Sequence, residues 1–459
     1  MGGTTMIMIM FFVLAVLFLS SRYTFAATYY ASPSGGYDGQ TKSRPFQIAD
    51  FWEVAKPGDT LILLDGRYIG WRSMIVPPET RTIGGKERLF FGGLPGNPIT
   101  IQALNDGKVE IDGEKKSKPI SLRGKDYFVI EGVNAHSAGG TNNASVVSLS
   151  RSNYNIIRRV CGWDAKGVND YIFAVNNGDY NLFEDCAGWG IARKTYSSSQ
   201  NGNHTTVRRC WGRWDGCHHI GPKLTLTMVY NNRDMTIENC IMTWGSNDLK
   251  EIYNLECREG MTDPRCGTEF RDYSVDQPYG IYGIDRMDGD DKHARAKLLG
   301  SIAYIRSNDR FQAKRLVFAI KLDSIEIADT VAYIEPGSHL EKRTFELRGL
   351  KDGVAQNLTA RNITSIGGAG SSIDNQWQVS NLDEGATVAE VGSIYNNPRG
   401  AKICKRYENG VLTNKRLWPW PMDQRIYDAM ILSGREPFYV TQTIESMFGV
   451  IPKECRWDH

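Results

Sequence analysis

Short strand-like segments separated by turn residues dominate the chain, and they repeat. Phe128-Val129-Ile130-Glu131-Gly132-Val133, Ile156-Ile157-Arg158-Arg159-Val160, Leu182-Phe183-Glu184-Asp185-Cys186, Thr206-Val207-Arg208-Arg209-Cys210 and Thr236-Ile237-Glu238-Asn239-Cys240 superimpose. Each has an apolar residue, two intervening residues that are mostly polar, then an apolar residue or Cys. The period, read from Ile130 to Ile157, Phe183, Val207 and Ile237, is roughly two to three dozen residues. Weaker copies lie at Leu298 to Ala303, Ile325 to Val331 and Leu358 to Ile363. A repeat of this size cannot bury a face alone and must stack on its neighbours. The strands do not alternate with helices, so the pattern predicts an all-β parallel solenoid rather than a βαβ fold.

Stacked coils place equivalent residues in columns about 4.8 Å apart. The position after the inward apolar residue reads Glu131, Arg158, Glu184, Arg208, Glu238, with the sign alternating at every step. Opposite charges on facing strands attract and like charges repel. The alternation therefore predicts these five residues as one column, with Arg158 and Arg208 structural.

Before the repeats, Phe46 to Ala55 carries Ile48, Phe51, Trp52 and Ala55 on one helical face, and Pro57-Gly58-Asp59 stops it. Strands follow at Thr60–Leu64, Ile99–Ala103 and Val109–Gly113. After the repeats, Met422 to Leu432 and Thr441 to Phe448 read as helices closed by Gly434 and Gly449. The expected role of this segment is to cover the open end of the solenoid, which would otherwise invite strand addition. The predicted organisation is a signal peptide over 1–26, a β-helix over 27–400 with a long insertion around 246–297, and a C-terminal capping segment over 401–459.

The signal peptide rests on the apolar run Ile7 to Leu19, followed by Thr24 and Ala26 at signal-peptidase spacing before Ala27. The run is short for a membrane span. The first six residues carry no Lys or Arg, which leaves a retained anchor as the alternative. A secreted, periplasmic or cell-surface location and a monomer are expected, with no stable membrane span after signal removal. Of nine cysteines, Cys161, Cys186, Cys210 and Cys240 read as packed thiols. Cys257–Cys266 and Cys404–Cys455 read as disulfides in an oxidising compartment, leaving Cys217 over.

Three N-terminal pieces carry a family likeness: Ala55-Lys56-Pro57-Gly58-Asp59-Thr60-Leu61, Asp65-Gly66-Arg67-Tyr68, and Gly96-Asn97-Pro98-Ile99-Thr100-Ile101-Gln102-Ala103. Together they resemble the first coils of the pectate-lyase-like right-handed parallel β-helix superfamily. They are most similar to its secreted polysaccharide lyases and chondroitinase-like proteins. The resemblance implies that the helix at Phe46 to Ala55 covers one end of the solenoid. It also implies a Lys and an Arg on successive coils as catalytic groups, for which Lys321 and Arg348 are the matching positions. One fold hosts lyases, hydrolases, epimerases and inert adhesins, so activity must come from the site. No Gly-His-Gly signature of the pectin hydrolases occurs.

The formal charge is +2, so no strongly basic surface announces nucleic acid, and a polyanionic ligand would need a local basic patch. Cleaving a uronate polymer by β-elimination requires a cation to neutralise the carboxylate, a base for the adjacent proton, and an acid for the leaving oxygen. The densest supply lies between residues 163 and 233. Arg193, Lys194, His218 and His219 are the catalytic candidates; a solvated loop and a satisfied structural histidine are the plain alternatives. Trp189, Trp214 and Trp244 recur after the repeat, as does Trp163. They would form a sugar-stacking column if exposed, or ordinary packing if not. Lys223 and Arg233 complete the substrate-binding set. Asp288, Asp290 and Asp291 could hold Ca²⁺ or be solvated acidity, since they lack EF-hand spacing. The expected function is an exported carbohydrate-active protein, a lyase of a uronate polysaccharide. The alternative is a non-catalytic polysaccharide-binding scaffold.

Overall fold

The computed structural model describes residues 26–140, 144–166, 169–216, 224–230, 232–245, 280–285, 294–309, 313–337, 339–350, 355–385, 387–397 and 400–457. The signal segment, Cys217, the Cys257–Cys266 pair and most of the insertion around 246–297 lie outside these residues.

The chain winds as a right-handed parallel β-helix. A typical coil supplies two short strands to one 21-stranded sheet, such as Ile156–Arg158 and Cys161–Trp163, then one strand to a nine-stranded sheet, such as Tyr171–Asn176. Between the two short strands a single residue turns the chain in the left-handed region: Arg159, Asp185, Arg209, Asn239 and Asp329 have φ between 48° and 52°. Arg159 and Arg209 tie that bend down through ion pairs with Asp106 (2.6 Å) and Asp185 (2.7 Å).

The repeat alignment is the observed register. Ile130, Ile157, Phe183, Val207, Ile237 and Leu298 pair in sequence and face the core. Burying each such side chain contributes roughly 1.5–3 kcal/mol. The charge column forms as expected: Arg158 reaches Glu131 (3.7 Å) and Glu184 (2.8 Å), and Arg208 reaches Glu184 (3.2 Å) and Glu238 (2.5 Å). Cys186, Cys210 and Cys240 form an inner column of free thiols. Each points its Sγ at a carbonyl of the preceding coil, on Ile157, Phe183 and Val207, at 3.3–3.5 Å. Cys161 is also a buried free thiol, but it faces outward under the C-terminal segment.

Helix α1 (Ile48–Val54) buries Ile48, Phe51 and Trp52 against the first coils, with the Trp52 ring 6.3 Å from Phe90 and 6.4 Å from Phe128. A short helix, α2 (Val388–Val391), packs beside the last coil. Helices α3 (Asp423–Leu432) and α4 (Val440–Phe448) form close to where the sequence placed them. Their position differs from the expected end cover. They lie along the flank of the long sheet, in one apolar cluster with Cys161, Trp163, Trp189, Trp211, Ile302 and Tyr333. The reason is an outward apolar column on successive coils, which needs its own cover. Arg425 and Arg435 pin this strap to Asp106 (2.8 Å) and Asp164 (2.7 Å), and the Cys404–Cys455 disulfide closes it as expected. Among the described residues no helix is long and apolar enough to cross a membrane.

Candidate functional site

The nine-stranded sheet has a core face and an outer face. Phe173, Val175, Tyr196, Leu226, Met228, Tyr282 and Ile284 belong to the core, so by strand alternation Ala174, Ser197, Thr227, Gly283 and Phe318 face out. At the start of these strands two successive residues turn inward, as Ile172 and Phe173 or Leu316 and Val317 do. Thr195 does the same beside Tyr196, its hydroxyl donating to the Arg213 carbonyl at 3.3 Å. The residue before each pair, Tyr171, Lys194 or Arg315, therefore stands on the outer face.

Among the described residues, Lys194 is the most perturbed cation on that face. It is 1% exposed, with Nζ 5.5 Å from the Tyr171 ring centre and 6.0 Å from the Tyr230 ring centre. Ring faces attract an ammonium, but burial outweighs that. Desolvation, with the neighbouring Arg193 charge adding to it, pushes the Lys194 ammonium down to about 7. Arg193 is half-buried beside it, and its guanidinium donates to Asn169 Oδ1. Burial raises the Tyr171 hydroxyl above its ordinary value, with Arg193 working the other way. The structure thus joins a neutralisable amine, a guanidinium and two tyrosines. Tyr171 and Tyr230 are the members that sequence reading missed; the signal was the register of Tyr171 with Lys194.

Other candidates fall elsewhere. The expected column of exposed indoles does not form. Trp189 faces outward, stacked on Trp163 at 5.3 Å, but the strap covers it and its Nε1 donates to Ser433 Oγ at 3.2 Å. Trp214 and Trp244 are core residues, the Trp214 indole donating to the Ala192 carbonyl at 2.8 Å. The four indoles follow two registers: Trp163 pairs with Trp189, while Trp214 pairs with Trp244 one position later in the coil. A one-residue offset on a strand changes the face. Arg233 is exposed, past the far end of the Leu224–Val229 strand, whereas Lys194 aligns with Leu224 at its start. Arg348 is exposed and ion-paired to Glu346, which Arg315 also holds. Arg315 stands three rungs from Lys194, about 14 Å away, and Lys321 is exposed just beyond that strand. His218, His219, Lys223, Asp288, Asp290 and Asp291 lie outside the described residues.

Among the described residues, Glu110, Asp112 and His136 could converge on a metal ion, their ligand atoms lying within 4.8 Å of one another. Arg67 already supplies a cation there, bonded to Asp112 and 3.4 Å from Glu110, and His136 bonds Glu110 at 2.8 Å and stacks on Trp163. The donor set is used up by this network and does not fit a resident metal. A cavity of about 330 Å³ opens between the long sheet and residues 434–438 of the strap, lined by Arg213, Asp215, Tyr304, Arg306, Arg435 and Phe438 among others. Asp215 binds Arg213 at 2.6 Å and lies 3.7 Å from Arg435, so much of its charge is internally balanced.

No protein-family model matches the chain, and no curated protein matches it. Solved structures do. XylC in complex with xylose aligns with a TM-score of 0.52 at 10% identity, covering 81% of this chain and 78% of that one. Pectate lyase Pel9A aligns at 0.48 and 13% identity, covering 95% and 91%. An alginate lyase from Paenibacillus sp. str. FPU-7 aligns at 0.39 and 10% identity, covering 78% and 99%. The likeness to XylC speaks to the fold alone, a parallel β-helix.

Proposed function

We propose that this chain is an exported carbohydrate-active β-helix protein, a polysaccharide lyase that cleaves a uronate-containing polymer by β-elimination. One observation carries the reading: Lys194, a lysine that burial brings down to about 7, so that a large share of its amine is neutral at neutral pH, stands on the outer face of the nine-stranded sheet between two tyrosines and beside an arginine. A neutral amine at that pH is matched to proton abstraction. In the proposed reaction Arg193 offsets the substrate carboxylate, and Lys194 Nζ takes the proton on the carbon beside it. The electron pair forms the C=C bond as the glycosidic C–O bond breaks, and the Tyr171 hydroxyl, which burial keeps protonated, supplies a proton to the leaving oxygen. Calcium, if it takes part, would assist Arg193; its sequence candidates are Asp288, Asp290 and Asp291.

The second reading is a non-catalytic polysaccharide-binding scaffold. The closure of Lys194 to solvent favours it, since a polymer must reach a base to use it. The experiment that separates the two is incubation with a panel of uronate polymers, with and without calcium, following absorbance of the unsaturated product for wild type and Lys194→Met.

A further inference from the structure

A second surface, away from the Lys194 amine, repeats with the coil. At the bend leading from the nine-stranded sheet into the long sheet, Tyr127, Tyr154, Tyr180 and His204 occupy equivalent places, all left-handed with φ of 56°, 57°, 56° and 50°. Bulky side chains are disfavoured in that region. The rings stack face to face: Tyr127 on Tyr154 at 4.9 Å and 3°, Tyr154 on Tyr180 at 4.9 Å and 2°, and Tyr180 on His204 at 4.2 Å and 8°. Unlike the Trp163–Trp189 and Phe173–Tyr196 stacks, this one is open to water, with Tyr154 44% and Tyr180 48% exposed. Both faces of these two rings are taken by neighbours, so what solvent meets is ring edges and hydroxyls, one set per coil.

A polar column runs beside the rings. The residue before each aromatic is Asp126, Asn153, Asp179 or Asn203. Their side chains link successive coils: Asp126 Oδ1 accepts the Asn153 amide at 2.7 Å, Asn153 Oδ1 the Asp179 amide at 2.8 Å, and Asn203 Oδ1 the Arg233 amide at 2.9 Å. It is the ring column that ends at Asp234, left-handed like the rings (φ 56°), whose carboxylate lies 3.4 Å from His204 Nε2.

We propose that this edge of paired Asp/Asn and aromatic residues binds an extended, uncharged β-linked glycan running parallel to the solenoid axis, with successive sugars on successive rungs. Two features select that ligand. An extended β-linked pyranose chain advances by about one ring length per sugar, close to the 4.9 Å between tyrosine rings, so its hydroxyls meet a tyrosine hydroxyl at each step. Tyrosine offers an apolar body with a polar tip, which suits a sugar's mixed surface. The charge is the second feature. Local desolvation, the flanking tyrosines, and the carboxylates of Asp179 and Asp126 all raise the Tyr154 hydroxyl above its ordinary value. An anionic chain would meet the same carboxylates and be disfavoured. The inference is independent of the lyase reading, because it concerns retention and not turnover.

The test is depletion of the full-length protein from solution by insoluble cellulose, chitin and xylan, with polygalacturonate gel as the anionic comparison. Wild type is expected to be retained on at least one uncharged glycan and less on the anionic gel. Tyr154→Ala/Tyr180→Ala is expected to lower retention at least ten-fold. Tyr154→Phe/Tyr180→Phe keeps the stack, removes the hydroxyls, and is expected to lower retention several-fold; it decides the matter if the alanine pair misfolds. Wild type retained on no uncharged glycan, or only on the anionic gel, would overturn the proposal. So would a folded double variant retained as well as wild type, which would leave the stack with a structural role alone.

Discussion

Arg425 and Asp106 are 319 residues apart in sequence and bonded at 2.8 Å in the fold. The same guanidinium donates to Asn134 Oδ1 at 3.1 Å and to the Arg159 carbonyl at 3.2 Å. One buried side chain therefore holds the C-terminal strap against early coils.

Arg425→Ala removes this donor from Asn134 and the Arg159 carbonyl and leaves Asp106 with Arg159 alone, and losing hydrogen bonds to a charged group costs about 2 kcal/mol. The expected result is a lower urea midpoint with an unchanged slope, and faster proteolysis of the segment after residue 401. An unaltered midpoint would mean that the apolar contacts and the Arg435–Asp164 pair hold the strap without it.

Glu184 sits among Arg158, Arg208 and Arg209 at 2.8–3.2 Å. Burial alone would raise its carboxyl, but Arg209, Arg158 and Arg208 outweigh burial and hold it below the usual carboxylate range. The folded value lies below the unfolded one, so the stabilisation is present above the unfolded value, roughly pH 4.3, and is lost as pH falls through the folded value. Glu184→Gln leaves the guanidiniums uncompensated and is expected to cost about 3 kcal/mol at pH 7. The gap from wild type should shrink below pH 4 in denaturation curves taken across pH.

Lys194 titrates in the same sense but in a higher pH window. An unfolded lysine keeps its proton to about pH 10.4, while the folded one loses it near pH 7. Between these values the unfolded chain binds the extra proton, so wild-type stability rises with pH. Lys194→Met lacks this slope. The variant is expected to melt higher than wild type at pH 6–7, with the difference narrowing toward pH 10. Parallel melting curves across that range would contradict a buried, neutralisable amine.

The repeat was legible because each coil places its apolar residue at the same inward position, so Ile130, Ile157 and Phe183 align and the charges beside them fall into register. The indoles misled because Trp163 and Trp189 sit one position earlier in the coil than Trp214 and Trp244, and composition does not show which face a strand residue takes. Helices α3 and α4 were legible from their caps and periodicity. Their place on the flank was not, because it depends on partners such as Asp106 and Asn134 hundreds of residues away. Lys194 was legible as a candidate; its burial between Tyr171 and Tyr230 was not. The Tyr154–Tyr180 stack had a signal that passed unread: an Asp or Asn followed by an aromatic, ahead of the repeat's apolar residue, in four coils running.

The lyase reading stands or falls on turnover at Lys194. Purified protein is mixed with polygalacturonate, alginate, chondroitin and related uronate polymers at pH 8, with and without calcium, and unsaturated product is followed by absorbance. The account predicts product from at least one polymer, a rate that rises through pH 7 as the amine loses its proton, and a loss of roughly 100-fold or more in Lys194→Met. No product from any polymer, or a Lys194→Met variant as active as wild type, would contradict it.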